Sequence, residues 1–308
     1  MNKIFKNLDQ QIEILKSRNL IINDEESAKD ILLRENYFFI NGYRHMFLDV
    51  EKGKNFLDGT TFEELYAVFT FDRNIRNIMF KNLLIVENNI KSIISYQLSK
   101  KYGFKEKDYL DPKNFTVDSM KVRQVHDIIN KMKRQIRVNG SQHAATYHYI
   151  ANYGYVPLWI LVKVLSFGLI SELYGILKTE DQLKIANMYK TDIETLCTYL
   201  CILANYRNIC AHEEVLYEHK TQRMLNDYRI HQKLNIEKID GQYKYGVNDM
   251  FAVIIILKNM LSESEFTDFI NEISYEVDVL QGKIHTVSIN SILNTCGFPD
   301  NWRDIMEI

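Results

Sequence analysis

The segment Tyr206-Arg207-Asn208-Ile209-Cys210-Ala211-His212 gathers a guanidinium, an amide and an imidazole. An arginine fork can hold two oxygens of a phosphate, and a histidine can exchange a proton near neutral pH. At about 100° per residue on a helix, Arg207 falls inside the apolar stripe of Ile193, Leu196, Cys197, Leu200, Leu203, Ala204 and Ala211. A charge there calls for a carboxylate, a phosphate or a partner subunit, because an unpaired buried guanidinium is costly. Asn208 and His212 are spaced i,i+4 and face the same way. Glu87 shows the same anomaly, with Leu83, Leu84, Ile90 and Ile94 as helical neighbours. It is the natural internal partner for Arg207, and the pair serves equally well as a structural ion pair that fixes helix register. Arg207 and His212 lie about 140° apart around an ideal helix and ~7.5 Å apart along it. Either the helix distorts near Cys210, or the equivalent residues of a second chain complete the site across a two-fold axis.

The elements that must position these residues read as helices almost throughout. Thr61 and Glu64 have capping-box spacing and open a long seam, Leu65 to Leu98, that ends near Gly103. Before it, Phe5 to Leu15 recur at helical spacing, Asp24 can cap a second helix, and Asn36–Tyr43 is an aromatic, irregular stretch. A helix over Val117–Val138 buries Val125, Ile128, Ile129, Met132 and Ile136, and it presents Arg123, Lys133, Arg134 and Arg137 on the opposite face. Pro157 opens the apolar run Val156–Leu177, whose Lys163 and Glu172 suit a buried helix better than a membrane span. Thr191 and Glu194 have capping-box spacing at the start of the helix Asp192–His212. Asp240-Gly241 is a hairpin signal, and helices resume at Met250–Leu261 and Glu265–Leu280. The six acids of Ser262–Asp278 suit a solvated face.

Composition narrows the class. The 308 residues include 3 Pro and 12 Gly, where average usage would give roughly 15 and 22, so sandwiches and barrels are disfavoured against long helices. Lys+Arg 38 against Asp+Glu 40 gives a net charge of −2, so a nucleic-acid partner must use a local patch. Cys197, Cys201, Cys210 and Cys296 contain no CxxC pair and fit reduced core thiols better than a metal site with His212. Met1–Lys16 lacks an apolar signal core, which predicts a cytoplasmic chain. The remaining histidines are scattered and fit surface or linker positions. Tyr147-His148-Tyr149 and Tyr153-Gly154-Tyr155 could stack bases or pack a core.

One order of motifs resembles a family: Asn36-Tyr37 with Gly42-Tyr43, Phe71-Asp72-Arg73-Asn74-Ile75-Arg76 with Glu87, Pro157-Leu158-Trp159 with Ser166-Phe167-Gly168, Arg207-Asn208-Ile209-Cys210-Ala211-His212, and Gly297-Phe298-Pro299-Asp300-Asn301-Trp302. In that order they resemble the Abi-like abortive-infection proteins of bacteria, to which AbiD and AbiF belong. The resemblance implies an all-α, HEPN-type helical bundle with a core at approximately 60–261, N-terminal helices over 1–59 and a C-terminal extension over 262–308. It implies that Arg207 and His212 form an R-x4-H motif, with Asn208 as its polar companion, in a metal-independent endoribonuclease site at a homodimer interface. No cofactor is implied. The segment after His212 departs from the family pattern, since Glu213 and Val215 replace an expected His and Arg.

RNA supplies its own nucleophile, the 2′-hydroxyl, so such a site needs a base, an acid and charge on the phosphate. The implied products carry 2′,3′-cyclic phosphate and 5′-hydroxyl ends, and the implied role is that of a toxin-like effector of phage defence. Arg123, Lys133, Arg134 and Arg137 are the candidate RNA-binding stripe, unless they simply solvate their helix. A catalytically silent module that binds RNA or a partner protein is the alternative, and an inhibitory RNA or protein partner fits either role.

Overall fold

A computed structural model describes residues 4–49, 51 and 53–308. Among them are fifteen α-helices and one two-stranded antiparallel ladder. This is the all-α architecture expected from a chain so poor in turn residues. Three helices, α1 (Leu8–Lys16), α2 (Glu25–Glu35) and α3 (Phe38–Tyr43), precede α4 (Phe62–Tyr102). The stretch read as irregular therefore holds a short helix. Asn36, at φ +64°, breaks the chain after α2, and the rings of Phe39 and Tyr43 are then buried.

The spine is α4, about 60 Å long at 1.5 Å per residue. Thr61 Oγ1 accepts from Glu64 N at 3.2 Å, and the Glu64 carboxylate accepts from Thr61 N at 3.1 Å, so the capping box forms as read. Glu64 Oε1 also accepts from the backbone N–H groups of His285 and Thr286, at 2.6 and 2.7 Å, which ties the C-terminal segment to the start of the spine. Gly103 ends the helix at φ +97°, in the left-handed region that favours glycine.

Next come α5 (Glu106–Tyr109), α6 (Val122–Asn139) and α7 (Ala144–Tyr153). Helix α6 starts later than Val117 because Asp118 caps a separate 3-10 turn over Ser119–Lys121, leaving Val117 exposed. The apolar run after Pro157 is two helices, α8 (Leu158–Val164) and α9 (Phe167–Gly175). Leu165 is extended, and the Ser166 hydroxyl accepts from Leu169 N to start the second helix.

After α10 (Thr179–Met188), α11 (Ile193–Ala211) carries the Arg207 motif. Its cap is Asp192, which accepts from Thr195 N at 2.8 Å, so the adjacent Thr191 does not serve. Then come α12 (Arg229–Lys233), β1 (Lys238–Ile239), β2 (Gln242–Tyr243), α13 (Met250–Met260), α14 (Glu263–Gln281) and α15 (Ile289–Thr295). Asp240 and Gly241 turn the hairpin with φ +50° and +81°, the pattern of a type I′ turn.

Helices α3, α8, α11, α13 and α14 all pack on α4. One cluster of buried apolar side chains extends from Ile12 to Ile305. Three of the six acids of α14 reach partners on other elements: Glu272 meets Lys81, Glu276 accepts from Asn74, and Asp278 meets Arg303. That face is therefore partly an intramolecular one. His231 departs from the surface expectation, being fully buried with Nε2 2.8 Å from the Gly246 carbonyl. Of the four free thiols, Cys210 and Cys296 are buried, Cys197 is half-buried and Cys201 is exposed. No helix among the described residues is long and apolar enough to cross a membrane. Met1–Lys3, the start of the segment read for an export signal, lie outside the described residues.

Candidate functional site

The packing of α11 on α4 brings Arg207 to Glu87. Arg207 Nε donates to Glu87 Oε2 at 3.1 Å, and Lys91 Nζ donates to Oε1 at 2.6 Å. One buried carboxylate is thus shared by two cations. Helical spacing places Lys91 one turn beyond Glu87, where it reaches the second oxygen. Arg207 sits at the rim of the apolar stripe, its side chain 27% exposed and its guanidinium 5.6 Å from the Phe80 ring centroid. Its Nη groups have no hydrogen-bond partner among the described residues, which leaves the outer edge of the fork available to an anion.

That edge opens on a cleft of about 620 Å3, also lined by Asn88, Ser92, Ser95, Trp159 and Lys163. Three cations, Arg207, Lys91 and Lys163, face one carboxylate there, so the cleft favours an anionic ligand.

Helix α11 stays regular through Ala211, so no distortion near Cys210 turns His212 toward Arg207. His212 is the C-cap and donates its backbone N–H to the Asn208 carbonyl at 3.0 Å. Asn208 and His212 are both exposed, and neither lines the cleft. The single chain therefore joins Arg207 to Glu87 and holds Asn208 and His212 on a separate part of the helix end. Among the described residues no hydrogen bond fixes the His212 ring, which leaves both ring nitrogens open to a ligand. Burial pushes the Cys210 thiol up to about 12, so it is not a nucleophile at neutral pH.

The segment after His212 is tightly held. Glu213 takes φ +54°, and Glu214 N donates to the Ile209 carbonyl at 3.2 Å, the outer bond of a Schellman cap. A buried cluster on α4 then grips the chain. Asp72 Oδ2 accepts from Tyr43 Oη at 2.6 Å, Arg76 Nη1 at 2.6 Å and Leu216 N at 3.2 Å, while Arg76 Nη1 also donates to the Glu214 carbonyl at 3.0 Å. Burial pushes the Asp72 carboxyl above its ordinary range, while its donors and the Arg76 charge pull it back. Val215 approaches Gly42 so closely that a Cβ there would lie 2.9 Å from Val215 Cγ2. The Tyr43 and Tyr217 rings stack at 5.4 Å.

Tyr43, Asp72 and Arg76 belong to the quoted motifs but carried no assigned role. The signal that finds Glu87, a charge on an apolar seam, would have found Asp72 and Arg76 too. Lys91, Lys163 and Trp159 were missed because nothing in the sequence says that α4, α8 and α11 share a cleft.

Arg123, Lys133, Arg134 and Arg137 are exposed on α6 and make no ion pair among the described residues. None lines the Arg207 cleft. Among the described residues no three His, Cys, Asp or Glu side chains gather as a metal ligand set.

The chain matches none of the curated proteins and none of the solved structures. A family model described as "Abi-like protein" matches residues 30–218, which is more than half of the 308. The match takes in α4 with Glu87, α8 with Trp159, and α11 with Arg207 and His212, and it ends just past the segment that Asp72 and Arg76 clamp. With the spine, the charged cleft and the helix-end motif all inside the matched region, the chain belongs to the Abi-like protein family.

Proposed function

We propose that this chain is a metal-independent endoribonuclease of the HEPN type, a toxin-like effector of bacterial abortive infection with a composite site in a homodimer. The HEPN-like core spans approximately 60–261, flanked by N-terminal helices over 1–59 and an extension over 262–308. The observation that carries the proposal is the division of labour on α11: a partly exposed arginine on a cationic cleft, and an exposed histidine at the same helix end, with neither the Arg207 Nη groups nor the His212 ring hydrogen-bonded among the described residues.

Arg207 binds the scissile phosphate through its outer edge while Glu87 holds the inner one. His212 of one protomer takes the proton of the 2′-hydroxyl, and His212 of its partner protonates the leaving 5′-oxygen. Asn208, one turn back, orients the imidazole or the phosphate. Cyclisation by the RNA's own oxygen gives 2′,3′-cyclic phosphate and 5′-hydroxyl ends. The regular helix supports the dimeric form, because one chain does not bring Arg207 and His212 together.

The alternative is a module that binds RNA or a partner protein without cutting, with Arg207 serving structure. The Glu87 contact to Arg207 favours it, since the arginine already has a carboxylate partner. Cleavage of RNA by the wild type and its loss in folded Arg207→Ala and His212→Ala variants decides for the nuclease. Retained cleavage in both decides against it. Sedimentation tests the dimer, and a strict monomer that cuts RNA would exclude the composite site.

A further inference from the structure

Outside the motif, the chain exposes a connected run of aromatic rings that begins in the Arg207 cleft. Trp159 lines the cleft and lies 5.6 Å from Phe104; Phe104 lies 5.7 Å from Tyr155, Tyr155 6.3 Å from Tyr153, and Tyr153 5.4 Å from Tyr149. Phe104 is 38% exposed, Trp159 41% and Tyr153 57%, while Tyr155 is half-buried and Tyr149 packs partly against the core. Contiguous exposed apolar surface of this kind marks a binding site in a soluble domain. Cations stand at two points of the run, with Lys105 Nζ 4.9 Å from the Tyr155 ring centroid, and Lys163 and Arg207 beside Trp159 in the cleft.

Aromatic faces interleaved with lysines are the chemistry of single-stranded nucleic acid binding. Unpaired bases stack on the rings whatever their sequence, and the ammonium groups follow the phosphates. A protein partner would bury the rings but gives no reason for cations both in the cleft and beside Tyr155. A duplex would keep its bases stacked on one another and leave the rings unused.

We propose that Trp159, Phe104, Tyr155 and Tyr153 form a stacking track for unpaired RNA bases that leads the strand into the Arg207 cleft. This rests on RNA being the ligand of the proposed function. The track binds and orients the strand, and the chemistry stays with the α11 motif.

The chain has two tryptophans, and Trp302 is 2% exposed, so a change in emission on binding reports Trp159. The test titrates the full-length protein with a short single-stranded RNA carrying 2′-O-methyl groups, which cannot be cut by its own 2′-oxygen. Emission and the anisotropy of a labelled strand are followed together. The expected result is quenching of Trp159 by the single strand but not by the same sequence as a duplex. Affinity should fall about ten-fold in Trp159→Leu and again in Tyr155→Leu, and it should be restored in Trp159→Phe and Tyr155→Phe, which keep a ring. The salt dependence should stay unchanged in all four variants, because no phosphate contact is removed. Buried Trp302 emission and the melting temperature check folding, and should the Leu variants fail to fold, quenching in the wild type and in Tyr155→Phe, together with the retained affinity of Trp159→Phe, still decides.

Unquenched Trp159 in the bound wild type, or affinity unchanged in the Leu double variant, overturns the track. A changed oligomeric state with unchanged affinity overturns it in favour of a protein interface. Track-dependent binding without cleavage of unmodified RNA would leave the track standing and remove the nuclease. Cleavage with track-independent binding would do the reverse.

Discussion

Replacing Arg207 by alanine should leave the fold nearly intact, although the residue pairs with a buried carboxylate. The reason is Lys91, which donates to the other Glu87 oxygen at 2.6 Å with its side chain only 12% exposed. Glu87 therefore keeps a cation when Arg207 is removed. The loss is one charged hydrogen bond, about 1.5–3 kcal/mol where fully buried. The 27% exposure of Arg207 brings it toward about 1 kcal/mol. Arg76→Ala is the contrast. Its side chain is 4% exposed, its partner Asp72 is 0% exposed, and the guanidinium also holds the Glu214 carbonyl. Breaking that pair should cost about 3–5 kcal/mol. Urea unfolding of both variants against the wild type measures the difference, and Arg207→Ala should melt only a few degrees below the wild type. Arg207→Ala combined with Lys91→Ala should exceed the sum of the two single losses, since only the pair strips Glu87 of both cations. A loss in Arg207→Ala as large as in Arg76→Ala, or strict additivity with Lys91→Ala, would refute the sharing of Glu87.

Other perturbations have equally definite outcomes. Glu213→Gly should stabilise the chain by about 1 kcal/mol or less in denaturant titration, because Glu213 sits at φ +54° and places a carboxylate at a helix C-terminus, against which stands only its attraction to Arg73; a loss would show that this attraction outweighs the strain. Burial pulls the His231 pKa below its ordinary value of 6.5, so the folded state takes up this proton later than the unfolded one. Its contribution is complete above about 6.5 and is lost as pH falls toward the folded value. Between pH 7.5 and 5.5 the wild type should lose more stability than His231→Gln; burial pushes Asp249 up to about 6 and opposes this trend, but it does so in both proteins. Equal losses would contradict the sign. Replacing Arg123, Lys133, Arg134 and Arg137 by Gln should weaken RNA binding and flatten its salt dependence, and an unchanged slope would exclude the stripe.

The legible parts of the chain were those where a local signal had no competitor. Thr61 with Glu64, Gly103 and the Asp240-Gly241 turn each did what their chemistry requires. Thr191 and Asp192 are adjacent capping residues, and the carboxylate took the position. The break between α8 and α9 was hidden because burial on most faces erases the periodicity that would reveal it, leaving Ser166 as the sole local cue. At the site, Arg207 and Glu87 were legible as charges out of place on apolar seams. The sharing of Glu87 with Lys91 was not, because an i,i+4 Glu/Lys pair looks the same on a solvated face. The Asp72 cluster that anchors the segment after His212 depends on contacts between α3, α4 and that segment, which no one-dimensional pattern contains. Buried His231 had no sequence cue, since its burial comes from the surrounding loops and hairpin.

We propose that Arg207 and His212 cut RNA by way of its own 2′-hydroxyl. The most direct measurement is the chemistry of the RNA ends left by the purified wild type and by His212→Ala, in the presence of EDTA. His212 is an exposed cap whose ring makes no hydrogen bond among the described residues, so the variant should remain folded. The wild type should produce 2′,3′-cyclic phosphate and 5′-hydroxyl ends with EDTA present, and His212→Ala should produce none. Ends of the opposite polarity, cleavage abolished by EDTA, or the same products from the folded variant would contradict the account.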